Sequence, residues 1–152
     1  MRLVLQRVQQ ASITSENKRI AEITTGLLVF VGIGKKDTTA IFPWVIDKLI
    51  NLRIFEDEQG KMNNSVSDIQ GEILVVSQFT LYGNCLKGRR PSFIEGAPIE
   101  EAKALYEAFV KQLKASYQLV KEGIFQADMQ VSLINDGPVT FIIEKNNDSK
   151  NS

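Results

Sequence analysis

The chain has 152 residues, enough for one domain with a single buried core. Acidic and basic residues balance at 18 each, so no overall field draws it onto nucleic acid or an anionic membrane; an RNA partner would be gripped over a small part, such as an end. There is no histidine and one cysteine, Cys85, which excludes a Ser-His-Asp triad, a Cys-His pair, a His-ligated metal and an intrachain disulfide.

Residues 2–14 alternate, with Leu3 and Leu5 against Arg2 and Gln6, and read as a half-buried strand. That alternation is unlike the long apolar stretch of a signal peptide. No apolar run approaches the roughly 18–20 residues that span a bilayer, so the expected compartment is the cytoplasm, with no membrane association. Glu16-Asn17-Lys18 is turn-like, and Ile20 and Ile23 are expected to pair back as a hairpin. Leu27 to Val31 is continuously apolar and reads as a strand buried on both faces. Gly32-Ile33-Gly34 then breaks it, a turn rather than a phosphate loop, since neither a third glycine nor a Gly-Lys-Ser/Thr ending follows.

Ile41, Trp44, Val45, Lys48, Leu49 and Leu52 recur at helical spacing over 39–52, with Pro43 near the start where proline is tolerated. Residues 51–56 are expected to return as a strand, closed by the polar turn 57–60. Glu72 to Val76 is the most strand-like run. A second helix over about 99–117 places Leu105, Phe109 and Leu113 on one stripe with Tyr106 and Val110, and Glu100 and Glu101 suit its N-terminal end. Met129, Val131 and Leu133 alternate in one strand, and Val139 to Ile143 forms another. Two helices among seven or eight strands, without strict alternation, predict an α+β fold: a curled, mainly antiparallel, barrel-like sheet with two main helices. The domain is expected over 1–145, followed by a disordered polar tail over 146–152.

Two segments are candidates for chemistry. Ser77-Gln78-Phe79-Thr80-Leu81-Tyr82 follows a buried run, and a strand end that turns polar can hold a site on a rigid element. On spacing alone it reads equally as an edge strand with hydroxyls facing water. Asn135-Asp136-Gly137-Pro138-Val139-Thr140 lies between apolar runs, where composition alone reads as a hairpin turn.

Taken together, SQFTLYG at 77–83 and NDGPVT at 135–140 closely resemble the two signature motifs of the D-aminoacyl-tRNA deacylases (the D-tyrosyl-tRNA deacylase family). The resemblance extends through Arg2–Val8, Asn51–Asp57, Gly88–Phe93 and Ala127–Leu133, to about residue 144. It implies a homodimer, hydrolysis of the ester joining a D-amino acid to the 3′ acceptor end of tRNA, and no metal or other cofactor. It also implies that Gly137-Pro138 is cis and acts as a chirality gauge presented across the dimer interface. A gauge that pins the amino group and ester carbonyl and walls off one remaining direction rejects an L side chain, and achiral glycine is expected to leak through.

Under that resemblance the catalytic candidates are Ser77, Gln78, Phe79 and Thr80. The substrate-binding candidates are Gly137, Pro138, Asn135, Val139, Thr140, Arg7 and Met129. A continued strand would point Ser77 and Thr80 to opposite faces, so both reach one substrate only if the chain bends. With no histidine and no lysine in either motif, Thr80 lacks an evident base to activate it. Main-chain N–H groups around Phe79 and Thr80, helped by the substrate's ribose hydroxyl, are the preferred machinery. The alternatives are an acyl-ester hydrolase with Thr80 as nucleophile, or a non-catalytic module that binds adenosine or an RNA end. Arg7 either holds the Gly137-Pro138 loop or is a solvated strand arginine, and Met129 either lines the pocket or is core. Lys87, Arg89 and Arg90 either meet phosphates or form a merely exposed loop.

Overall fold

The computed structural model describes residues 1–148, so 149–152 of the expected tail lie outside the described residues. The first strand, β1 (Arg2–Ser15), turns at Glu16 and Asn17, both with positive φ, into β2 (Lys18–Ile23). Two successive left-handed residues match the twist of a tight hairpin, and the expected β1–β2 pairing forms. Next come β3 (Gly26–Gly32) and α1 (Phe42–Asn51), then the short pair β4 (Phe55–Glu56) and β5 (Met62–Asn64). The rest is β6 (Glu72–Ser77), α2 (Ile99–Ser116), β7 (Val120–Glu122) and β8 (Gln130–Glu144).

One six-stranded sheet contains β1, β2, β3, β6, β7 and β8. β1 is its spine: β8 pairs antiparallel along one edge, while β3 and β2 pair antiparallel with successive halves of the other. The β3–β6 and β6–β7 pairings are parallel. β2 also lies against β6 and β7, and the sheet curls into a nearly closed, barrel-like form. The α+β class with a mainly antiparallel, curled sheet and two main helices is therefore the fold.

β3 is buried on both faces, as its unbroken apolar run predicts. Leu27, Val29 and Val31 pack toward the helices, against Phe42, Val45 and Leu49 of α1 and Tyr106, Phe109 and Leu113 of α2. Leu28 joins a second cluster inside the curl, with Val8, Ala11, Ile13, Leu74 and Val76. Register shifts along β1 between Gln6 and Val8, and between Val8 and Gln10, let Ala11 and Ile13 join Val8 on the inner side although strict alternation would separate them.

Two expectations are corrected. Residues 51–56 do not form a strand throughout: Asn51 ends α1, Leu52 N–H closes the helix onto the Lys48 carbonyl, and only Phe55–Glu56 is strand. The helical spacing runs through Leu52, and the helix's own closing bond outcompetes strand pairing there.

The second correction concerns the strands expected on either side of Asn135–Thr140. They are one strand, β8, and the segment between them is not a hairpin turn. Both halves pair with the same partner in the same direction, Val131 with Ile13 and Phe141 with Leu5. Asn-Asp-Gly-Pro signals departure from the ladder, and here the chain departs without reversing.

Candidate active site

β6 ends at Ser77, and the next residues turn at once into a 3-10 turn, Phe79–Tyr82. The chain therefore bends where a straight strand would have sent Ser77 and Thr80 to opposite faces. Arg2 helps to fix the turn from β1: its Nη1 donates to the Leu81 carbonyl at 2.5 Å, and its guanidinium lies 4.8 Å from the Tyr82 ring centroid. The Leu81 N–H bonds back to the Gln78 carbonyl. The first N–H groups of such a turn, at Phe79 and Thr80, have no partner within it. Gln78 Nε2 donates to Thr80 Oγ1 at 2.6 Å.

This bend borders a cavity of about 750 Å³. Ser77, Gln78 and Phe79 line one side, and Val31, Val76 and Val131 supply an apolar floor. The segment before and into α2 contributes Ala97, Pro98 and Ala102, and the loop before β8 contributes Phe125 to Met129. Met129 both lines the cavity and packs on the inner cluster, so its two expected roles coexist. Thr80 lies beyond the lining and is exposed.

Sequence reasoning missed Phe125, Gln126 and the Ala97–Ala102 wall. Small residues just before a helix leave room rather than add function, and periodicity does not register room. Gln126 has φ +63, a left-handed conformation uncommon for a residue with a side chain, which only the backbone reveals.

The second motif is built around Arg7. Thr140 pairs with Gln6 and Asn135 with Val8, so Asp136 to Val139 loop outward opposite Arg7 alone. Asn135 ties the loop's ends together: its Oδ1 accepts the Val139 N–H at 2.7 Å, and its Nδ2 donates to Thr140 Oγ1 at 3.0 Å. Arg7 is buried, with 4% exposure, and is not a solvated strand residue. Its Nε donates to the Asp136 carbonyl at 3.0 Å and its Nη1 to the Ile54 carbonyl at 2.9 Å. Glu56 and Asp136 carboxylates lie 3.7 Å from its guanidinium, so the buried charge is compensated. The extended segment after α1, misread as strand, thus anchors this arginine.

Gly137 has φ +134, and a Cβ on it would meet Val139 Cγ2 at 2.7 Å and Arg7 Nη2 at 3.0 Å. Glycine is required there by both backbone and space. The Gly137–Pro138 bond is cis, and both residues are exposed.

Within one chain the two motifs are separate. Ser77 pairs with Val31 on β3, whereas Arg7 pairs with Leu27, four residues or roughly 13 Å further along. None of Arg7 or Asn135–Thr140 lines the cavity. Among the described residues no group of histidine, cysteine, aspartate and glutamate could hold a metal ion, and no helix is long and apolar enough to cross a membrane.

Known proteins match this chain over nearly its whole length. The described family D-Tyr-tRNA(Tyr) deacylase matches residues 4–144. A D-aminoacyl-tRNA deacylase of Thermotoga petrophila is 56% identical over 144 residues, covering 95% of this chain and 97% of that protein. One of Petrotoga mobilis is 54% identical over 145 residues, with the same coverage. Among solved structures, the c-Myc DNA Unwinding Element Binding Protein superposes with a TM-score of 0.91 at 45% identity, over 95% of this chain and 99% of that one. A probable eukaryotic D-amino acid tRNA deacylase superposes with a TM-score of 0.83 at 18% identity, over 93% and 97%, a likeness of fold. With both motifs inside a match that runs from the first strand to the last, the chain belongs to the D-Tyr-tRNA(Tyr) deacylase family.

Proposed function

We propose that this protein is a carboxylic ester hydrolase acting on D-aminoacyl-tRNA, releasing free D-amino acid and tRNA. The observation that carries the reading is the cavity where β6 bends into its 3-10 turn, in a chain matched to the family over nearly its full length. The terminal adenosine and its ester occupy that cavity. Water attacks the ester carbonyl carbon, the bond to the ribose oxygen breaks, and that oxygen leaves with a proton. Phe79 and Thr80 N–H groups stabilise the oxyanion; one such donor is worth roughly 10²–10³ in rate. The adjacent ribose hydroxyl orients the water.

One feature favours this over a Thr80 nucleophile. The Gln78 amide donates to Thr80 Oγ1, engaging an oxygen lone pair, and an amide cannot serve as a base. Ser77 and Gln78 act as walls and hydrogen-bonding partners at the ester.

Stereochemistry is assigned to the second motif. In a homodimer, Gly137 and Pro138 of one protomer close the partner's cavity, their carbonyls accepting from the substrate ammonium. The separation of the two motifs within one chain, and the exposure of Gly137 and Pro138, support a site completed by a second copy. Arg7, Asn135, Val139 and Thr140 hold the loop, and Met129 packs against the bound nucleoside. With ammonium and carbonyl pinned, an L side chain strikes the loop backbone while a D side chain points away. Glycine, with no side chain to reject, is expected to pass, so mischarged glycyl-tRNA is a side substrate. The place of action is the cytoplasm, where charged tRNA is used.

The test is hydrolysis of matched D-Tyr-tRNA and L-Tyr-tRNA by the pure protein with chelator present. Loss of the D ester alone is expected; equal cleavage would remove the stereochemical gauge, and no cleavage would leave a binding module. Thr80→Val should retain activity within about tenfold, while a 2′-deoxy substrate should lose most of it. A trapped acyl-enzyme under rapid quenching would reverse the choice of nucleophile.

A further inference from the structure

We infer that the cavity mouth carries a second nucleotide subsite. Phe93 and Phe79 form the stacking platform for the base next to the terminal adenosine, and Lys87, Arg89 and Arg90 contact the phosphates that follow. The inference rests on the proposed hydrolysis of an aminoacyl-RNA ester and extends it outward along the strand.

Phe79 and Phe93 both line the cavity, yet they leave 66% and 42% of their surface open. Their ring centroids are 5.2 Å apart at 56°, so the pair is held by mutual contact. A single exposed apolar side chain means little, but two facing rings at the rim of a pocket present a π-surface to whatever extends from it. Bases of a single strand stack on such rings irrespective of sequence.

The basic loop is rooted beside that platform. Asn84 and Ser92 exchange backbone hydrogen bonds of 2.7 and 2.9 Å, Asn84 Oδ1 accepts the Leu86 N–H at 2.9 Å, and Gly88, with φ +66 and open space around it, turns the tip. A Cβ on Gly83 would meet Phe93 Cε1 at 3.1 Å and Pro91 Cβ at 3.6 Å, so the loop's return leg packs where the 3-10 turn ends. Arg90 is three residues from Phe93, within about 10 Å along the chain.

Between Asn84 and Ser92 the chain carries Lys87, Arg89 and Arg90 and no acidic residue, although the whole protein is balanced at 18 and 18. Among the described residues no carboxylate pairs with any of the three. Local uncompensated cations next to exposed aromatic rings are the two components of a single-stranded RNA site. A neutral protein that needs only the end of an RNA has reason to concentrate its positive charge there.

The experiment compares D-tyrosyl esters of adenosine, of the dinucleotide cytidylyl-adenosine and of whole tRNA as substrates of the full chain. Fluorescence anisotropy of uncharged cytidylyl-cytidylyl-adenosine reads binding independently of hydrolysis. For the wild type, kcat/KM should rise about tenfold from adenosine to dinucleotide, mainly through KM, as expected for one stacked base. Phe93→Leu, which keeps apolar bulk but removes the ring, should abolish that step and weaken oligonucleotide binding to a similar degree. The triple variant Lys87→Ser, Arg89→Ser, Arg90→Ser should lower the preference for tRNA over dinucleotide. It should also reduce the slope of log kcat/KM against log salt by about 2, near 0.7 per released contact.

Equal rates on adenosine and dinucleotide, or an unchanged step in Phe93→Leu, would overturn the platform. An unchanged salt slope would overturn the phosphate contacts. If no ester is cleaved while the oligonucleotide still binds through Phe93, the hydrolysis reading fails and the subsite stands.

Discussion

Arg7 spends a buried charge on carbonyl oxygens. Its guanidinium bridges the Ile54 and Asp136 carbonyls, two segments 82 residues apart in the chain, with carboxylates at 3.7 Å as background compensation. Lysine would keep the charge but cannot bond both carbonyls from one planar fork. Arg7→Lys should therefore lower stability by about 1–3 kcal/mol, read as Tm, and lower D-ester hydrolysis more than Tm alone explains. At Gly137 the conflict is steric: an added Cβ would press on Val139 and on Arg7 Nη2 while adopting φ +134. Gly137→Ala should reduce kcat/KM on D-Tyr-tRNA by about 100-fold, the scale of a 1 Å misplacement, while the protein still folds because the residue is exposed. Neither residue's role was readable from composition. Alternation from Leu3 and Leu5 places Arg7 on the same buried face, but only the distant Ile54 and Asp136 carbonyls show what its charge does there.

Elements were legible where a single periodicity ran unopposed. The double burial of β3, the amphipathic stripe of α2 and the β1–β2 hairpin follow from local pattern. Reading failed where a long-range partner decided the outcome: β8 is continuous because β1 offers one ladder to both its halves, which no local window contains. The cavity was half legible, since Ser77 to Phe79 were marked by a polar strand end, whereas its opposite wall is marked mainly by small side chains. A further element-scale prediction concerns the start of β6. Glu72 accepts from the Thr24 N–H at 2.7 Å and from Thr24 Oγ1 at 3.0 Å, and Lys121 Nζ lies 3.4 Å away. The Thr24 N–H bond foremost, with Thr24 Oγ1 and Lys121 adding to it, depresses its pKa below 4.5 against a smaller burial cost. A depressed carboxylate contributes stability above its unfolded pKa and loses it as pH falls through the folded value. Thermal stability should thus decline as pH drops below 4.5, and Glu72→Gln should flatten that decline while lowering Tm at neutral pH.

At the scale of the whole molecule, the two motifs face different regions of one chain, so the proposed dimer makes each site from two copies. That is testable without a structure of the assembly. A Gly137→Ala chain retains its own cavity, and a Phe79→Pro chain, which lacks one of the two proposed oxyanion N–H donors, retains its own loop. Mixed in equal amounts and allowed to exchange, half the dimers pair one of each, and one of their two sites is intact. Activity should return to roughly a quarter of wild type, whereas a site confined to one chain would stay inactive. The exposed apolar residues of β8, Ile134, Phe141 and Ile142, supply surface that association would cover.

The outward loop of β8 has a consequence for design. Strand pairing with β1 resumes on either side of it with a shifted register, and Asn135 closes its neck, so the four residues Asp136 to Val139 behave as a cartridge held in a socket. A cartridge can be exchanged without rebuilding the socket. On the proposed reading, stereochemical preference could then drift or be engineered on those few residues while the barrel, its helices and the bend after β6 stay as they are.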